Sequence, residues 1–463
     1  MREFDLLVIG GGPAGYAGAI RAAQRGLKVA LIEKRELGGT CLNRGCIPTK
    51  ALFKAQEVLH LVQNAAQFGI KASFEGLDWN QVLKRKNQIV KRLTGGVGFL
   101  LRKAGAEVIQ GVARFVDGNQ IEVTKADESK EVLKARFIFL ASGSRTALPP
   151  VRGLELEGVI DSEEALSLPS LPERLVVIGG GVIGMELACI FNTFGVQVEV
   201  IEMMPKILPP VDSEVTALLT EMVEKRGMKI HLEARVKAIQ KVAKSLKVTF
   251  EKEGQEKEVQ GDLVLIATGR KPLLEGLNIE STGIQVENGV PKTDSTMRTT
   301  VPHIYAIGDI NGRHMLAHVA YKEAEVAVAN LLGEKKYMDY RAIPNCVFCS
   351  PEVASVGLSE EEAIQKGFDV SIGKFPFRGC GKALIEGESE GFVKIIACKK
   401  TKEILGIHII GPQASSLIAE ATLAMALECT PQEIAETIHA HPTLPEATME
   451  AAEAVFGAPL HFS

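Results

Sequence analysis

The sequence predicts an α/β protein in which one strand–turn–helix unit occurs twice before a C-terminal α+β segment. Three observations carry that reading: two glycine turns with the same internal spacing, a small-residue turn that closes each unit, and near the C-terminus two apolar strand-like runs followed by a helical one.

The first unit opens on "FDLLVIG", an apolar strand running straight into Gly10, Gly12 and Gly15 of a G-x-G-x-x-G turn and then an Ala-rich helix. Such a turn is weak evidence alone and strong evidence between a strand and a helix. Its first glycine permits the tight turn, its second lets a pyrophosphate approach the backbone, and its third lets helix and strand pack closely. The helix N-terminus offers free N–H groups to the phosphates. The next strand, "KVALIEK", ends on Glu33, whose carboxylate suits ribose hydroxyls.

The second unit repeats the device with Gly179, Gly181, Gly184 and Glu202. Gly10 to Glu33 and Gly179 to Glu202 both span 23 positions. Each unit then reaches an apolar strand with a small-residue turn, "FIFLASGSR" at Gly143 and "LVLIATGR" at Gly269. The chain is therefore expected to hold two Rossmann-like dinucleotide-binding folds. No Arg follows Glu202 to hold a 2′-phosphate, and the carboxylate would repel one, so NAD is favoured over NADP.

The first unit is longer by 43 positions, and Cys41 and Cys46 fall in the region after Glu33 where that length is expected. Residues i and i+5 of a regular helix lie roughly 8.6 Å apart, whereas a disulfide needs about 4.4–6.8 Å between Cα atoms. Bonding requires an irregular segment, which Gly45 and Pro48 make feasible. A structural staple, half a metal site and a catalytic pair are the three readings. A loop this short gains little closure stabilisation, and no further Cys or His stands nearby to complete a metal set.

Composition excludes several classes. Among 463 residues, 46% are hydrophobic, 24% charged and eight are cysteine, with a net charge of −4. Length alone suggests about three domains. The balance argues against nucleic acid, and the cysteine density against a disulfide scaffold. No run approaches the roughly 20 apolar residues of a membrane span, and no leader-like segment opens the chain. A soluble cytoplasmic protein is expected.

Four stretches sharpen this. "GGTCLNRGCIPTK" resembles the redox-active disulfide motif of the pyridine nucleotide–disulfide oxidoreductases, a family of flavin disulfide reductases. "AIGDI" resembles its second flavin motif, "MLAH" the segment after it, and "HAHPTLPEA" its C-terminal His-Glu motif. The resemblance runs from residue 4 to about 455 and is most marked toward the dihydrolipoamide dehydrogenases. It implies two Rossmann-like FAD- and NAD-binding domains (1–148 and 149–268), a central domain completing the FAD site (269–337) and an α+β interface domain for dimerisation (338–463).

The resemblance also implies roles. Cys41 would be the interchange thiol and Cys46 the sulfur beside the flavin. Lys50 would approach the flavin and pair with Glu186. His441 would be the base, held by Glu446 and entering the active site of the other chain of a homodimer, with His439 as the alternative. Glu446 also fits a capping box begun by Thr443. FAD would be held by Gly10, Gly12, Gly15, Glu33, Lys34, Gly39, Thr40, Lys50, Ala113, Ser142, Gly143, Asp309, Met315, Leu316, Ala317 and His318. NAD would be held by Gly179, Gly181, Gly184, Glu202, Val236, Gly269 and Arg270. The substrate would be dihydrolipoamide on a lipoyl-bearing protein, either of a 2-oxo acid dehydrogenase complex or a glycine-cleavage carrier.

Some residues depart from the family. Cys346 and Cys349 form a C-x-x-C where it more often has Thr-His before Pro-Glu; they are read as buried small residues, with a second dithiol or a zinc half-site as the rival. Cys380 is unusual in its segment, Ser142 replaces a Thr, and Cys189, Cys398 and Cys429 read as packing. Two alternatives stand: an NADH-dependent FAD disulfide reductase with another substrate, and a non-enzymatic NADH-responsive flavoprotein.

Overall fold

The computed structural model describes residues 1–457 and 459–461; Ala458 and the last two positions of the interval 338–463 lie outside the described residues. In the first unit Glu107–Gln110, Val29–Glu33, Arg2–Ile9 and Lys130–Leu140 run parallel in that spatial order, with Ile304–Ala306 parallel on the far side of Lys130–Leu140. Two antiparallel strands, Gln120–Thr124 and Val112–Phe115, complete a seven-stranded sheet. Leu6, Leu7 and Val8 are all fully buried, as strands covered on both faces must be. The register sets Ile9 opposite Ile32 and Leu140, so Gly10, Glu33 and Ala141 meet at the carboxyl edge, where such sheets bind ligands.

The second unit is a parallel sheet ordered Lys229–His231, Gln197–Ile201, Arg174–Ile178, Leu263–Ile266, Val159–Ile160. A short ribbon, Ser144–Thr146 against Arg270–Pro272, ties the closing turns of the two units together. Residues 269–337 share a core with the first unit: Tyr305, Ile307 and Ala324 pack with Leu6, Val8 and Phe139. The C-terminal part is a five-stranded antiparallel sheet ordered Asn345–Val347, Glu352–Gly357, Ile404–Gly411, Phe392–Cys398, Val370–Pro376. Helices Ala414–Ala426 and Glu446–Ala454 pack on it. Among the described residues no helix is long and apolar enough to cross a membrane.

The added length of the first unit is helical: Gly39–Arg44, Cys46–Gln63 and Trp79–Ala104 lie between Val29–Glu33 and Glu107–Gln110. Gly45 separates the first two of these. Pro48 is tolerated because it stands in the first turn of its helix, where its missing N–H has no partner to lose. Cys41 and Cys46 therefore sit on two helices and not one, the irregularity the spacing called for.

Candidate active site

The two glycine turns are built alike. Gly10 has φ +106°, and a Cβ there would lie 2.3 Å from the Ala141 carbonyl oxygen; Gly179 has φ +111° and would meet the Ala267 oxygen at 2.4 Å. A Cβ on Gly15 would fall 1.8 Å from the Gly10 oxygen, and one on Gly184 2.0 Å from the Gly179 oxygen. No side chain larger than hydrogen fits at these four positions. Gly12 and Gly181 begin the helices Pro13–Gln24 and Val182–Thr193 without a capping side chain, and neither helix has an acidic residue in its first turn. Their first N–H groups are left for an anion. Space above Gly181 is open.

Glu33 and Glu202 do a second job. Glu33 accepts from the Gly11 and Arg35 N–H groups at 2.6 and 2.7 Å. Glu202 accepts from Gly180 and Met204 at 2.6 and 2.8 Å. Each carboxylate, expected from the sequence at a ribose, fixes its own glycine turn.

A cavity of about 670 Å³ opens along the first turn. Of the residues assigned to FAD, all except Gly15 and His318 line it. Gly15 is consumed by packing on Gly10, and His318 directs its Nε2 to the Pro344 carbonyl at 3.0 Å. Asp309 lies on the short helical turn Gly308–Asn311 and accepts from Ser144 Oγ at 2.5 Å. Arg270, assigned to NAD, lines this same cavity; its guanidinium holds the Ser144 hydroxyl and carbonyl, both at 2.8 Å. Val236 packs against the core of the second unit.

Cys41, Cys46, Lys50 and Glu186 also line the cavity. Both sulfurs are free thiols in this structure and share a hydrogen bond. The contact polarises the pair. Cys46 accepts the bond and is pulled down to about 7, helped by the Lys50 ammonium against the opposing effect of burial. Cys41, as donor and partly buried, is pushed up. Cys46 is open to the cavity although protein surrounds the rest of it. Lys50 Nζ lies 2.9 and 2.8 Å from the two Glu186 oxygens and 4.4 Å from the centre of the Phe348 ring. Glu186, almost fully buried on the second glycine helix, also accepts the Phe348 N–H at 3.0 Å.

His441 lies outside the cavity lining of its own chain. Its Nδ1 is 2.8 Å from Glu446 Oε1, and its ring is 79% exposed. The other Glu446 oxygen accepts the Thr443 N–H at 2.7 Å. The two readings of Glu446 are compatible, one oxygen each, although Thr443 turns its own hydroxyl to the Ala440 carbonyl and makes no cap. Burial works to raise the Glu446 carboxyl; the Thr443 N–H and the imidazole outweigh it and hold it below its ordinary value. His439 has both ring nitrogens engaged, with Glu420 and the Thr437 carbonyl, both at 2.8 Å.

The C-x-x-C spacing does not make a pair. Cys346 lines the cavity, and burial pushes its thiol up to about 11. Cys349 is fully buried and meets Cys189 instead. Spacing also missed Glu323, which is fully buried and accepts from the Gly308 N–H, the Asn311 amide and the Tyr340 hydroxyl. It braces the turn that carries Asp309. No sequence signal singles it out, since helix Ala317–Leu331 also carries Lys322 and Glu325 beside it.

Two family descriptions match: pyridine nucleotide-disulphide oxidoreductase over residues 4–324, and the dimerisation domain of the same group over residues 343–452. The chain belongs to the pyridine nucleotide-disulphide oxidoreductase family. It is 41% identical to a dihydrolipoyl dehydrogenase of Bacillus subtilis, covering 99% of each chain. It is 43% identical to a dihydrolipoyl dehydrogenase of Thermus scotoductus, covering 100% of this chain and 99% of the relative. A solved structure of this oxidoreductase type, the copper(II) complex of the HOCl-induced flavoprotein disulfide reductase RclA from Escherichia coli, superimposes with a TM-score of 0.89 at 29% identity over 98% and 99% of the two chains.

Proposed function

We propose that this chain oxidises protein-bound dihydrolipoamide through Cys41 and Cys46 and passes the electrons by way of FAD to NAD⁺. The observation that carries this reading is the meeting, in one cavity, of a polarised dithiol, the first glycine turn and a carboxylate from the helix of the second turn. The cavity fits FAD: the glycine cradle takes a pyrophosphate, Glu33 a ribose and Asp309 a polyol chain. FAD, when bound, joins two-electron thiol chemistry to hydride transfer.

The residues divide the work. Cys41 exchanges with the substrate sulfur, and Cys46 holds the negative charge, because thiolate is the form that reacts. Lys50 keeps a positive charge beside that thiolate, and Glu186 fixes the ammonium in place. His441 takes a proton from the incoming dithiol. Glu446 on Nδ1 orients the ring so that Nε2 faces the substrate.

In a homodimer, His441 would reach the partner's cysteines. Leu423, Leu427 and Ile438 of the same domain are exposed apolar side chains that a second copy could cover. A steady-state panel tests the function: dihydrolipoamide, glutathione disulfide and Hg(II), each with NAD(H) and NADP(H). Dihydrolipoamide with NAD⁺ is expected to exceed the others by orders of magnitude. Preference for either other substrate overturns the assignment.

A further inference from the structure

Helix Trp79–Ala104 carries seven cationic side chains and no Asp or Glu in 26 residues, in a chain whose net charge is −4. One of the seven, Lys86, is buried and donates to the Leu166 carbonyl at 2.6 Å. The other six, Lys84, Arg85, Lys91, Arg92, Arg102 and Lys103, are exposed. None of the six has an ion-pair partner among the described residues. The cations on the two helices before it are matched: Arg44 with Glu36 and Glu163, Lys50 with Glu186, and Lys54 with Glu57.

With 3.6 residues per turn, the six fall on one side of the helix. Lys84, Lys91 and Arg102 form one row. Arg85, Arg92 and Lys103 form a second, roughly 90° around the axis, and together the rows run for roughly 28 Å. The exposed ring of Phe99 stands between them. The opposite side of the helix belongs to the core, where Val97 and Leu101 join one cluster with Leu42, and Cys41 packs against that cluster. The cationic strip is thus the outer face of the helix that backs the Cys41 segment.

Unmatched charge of one sign along a single face draws a polyanion. A membrane would need the apolar side of such a helix, and here that side is buried in the core. A nucleic acid would meet repulsion from the rest of a chain with a pI of about 6.2. An acidic protein domain covers the strip alone. We infer that the strip docks an acidic face of the lipoyl-bearing protein, on the same unit as Cys41 and Cys46. This rests on the function proposed above and adds where the carrier lands and what charge it bears. Free dihydrolipoamide is small and uncharged and gains nothing from the strip, whereas the carrier gains encounter rate and orientation.

The test gives the FAD holoenzyme one dithiol in three forms: free dihydrolipoamide, the reduced lipoyl domain of a 2-oxo acid dehydrogenase complex, and the reduced glycine-cleavage carrier. In Lys91→Glu with Arg92→Glu, KM for a carrier is expected to rise on the order of tenfold, while KM and kcat for free dihydrolipoamide stay level. Added salt should raise the carrier KM of the parent enzyme, and raise it less in the variant. Lys84→Glu with Lys103→Glu, at the two ends of the strip, should act alike. Lys244→Glu, an exposed cation of the second unit, should change nothing. An unchanged KM for both carriers in both double variants overturns the inference and leaves the proposed function standing. So does an equal loss with free and carried dithiol, or tighter binding of a DNA duplex or of phosphatidylglycerol vesicles than of either carrier at the same salt. No turnover of free dihydrolipoamide by the parent enzyme would sink the proposed function, and this inference with it.

Discussion

Lys50 reaches 136 positions along the chain to rest on both oxygens of Glu186, at 2.9 and 2.8 Å. The pair brings an ammonium to the thiolate from the first unit and its counter-charge from the second. Cys46 feels both, lowered by Lys50 and raised by Glu186.

Opposite signs follow for two variants. In the reduced holoenzyme Cys46 is a thiol below its midpoint and a thiolate above it. Long-wavelength thiolate–flavin absorbance is therefore expected to grow as pH rises through about 7. Lys50→Met should move that midpoint up toward the ordinary thiol range, about 8.5. Glu186→Gln should move it down. A spectroscopic pH titration decides, and shifts of the same sign in both variants would count against this account.

Cys41→Ser should still bind FAD, since the glycine cradle is untouched, yet lose dithiol turnover by about 10³-fold or more. FAD content is read by absorbance and turnover by NADH formation. Retained lipoamide activity would remove Cys41 from the mechanism.

His441→Gln is expected to lower kcat for dihydrolipoamide by about 10²–10⁴-fold, the usual range for a general base. His439→Gln should change it little, because both nitrogens of His439 are already engaged. Glu446→Gln should fall between them, losing the charge that steadies the ring. Equal losses at His439 and His441 would show that the loop, and not one imidazole, is being measured.

Glu202→Ala should weaken NAD⁺ more than NADP⁺, since it removes a ribose acceptor from one and a repulsion from the other. Some loss common to both is also expected, because Glu202 holds the Gly180 and Met204 N–H groups. The ratio of the two KM changes is the readout, and an unchanged ratio would undo the ribose assignment.

Glu323→Ala leaves two buried donors and one half-buried donor without their acceptor, a cost of about 3 kcal/mol at the lower end of the values for orphaned groups. Thermal unfolding should report it. FAD should also be lost faster on dialysis, because Asp309 rides on the turn that Glu323 braces. Stability lost with FAD retention unchanged would make Glu323 a packing residue only.

Much of this was legible in the sequence because the chemistry is local. A glycine turn, its helix and the acidic strand end lie within 23 positions, and the backbone geometry of those positions leaves little freedom. The cysteine motif was legible for the same reason, down to the break at Gly45. The rest depends on contacts between distant segments. Ser144 meets Asp309 across 165 positions, and the Phe348 N–H meets Glu186 across 162. Nothing in either neighbourhood names the other. Cys346 and Cys349, read as buried small residues, do fall apart from one another: strand Asn345–Val347 ends between them, and Cys349 enters a different core cluster from the one Cys346 borders. Arg270 reads from its turn motif as a residue of the second nucleotide; the ribbon that sets it on Ser144 joins segments 126 positions apart.

The position of His441 outside its own chain's cavity has a kinetic meaning. On the proposed reading, the cavity of one copy holds its own two thiols but not His441, the base for the dithiol half of the cycle. If the partner supplies it, the two half-reactions must separate on dilution. Below the concentration at which copies associate, dihydrolipoamide turnover per chain would fall, while NADH oxidation by an artificial electron acceptor that bypasses the thiols would stay level.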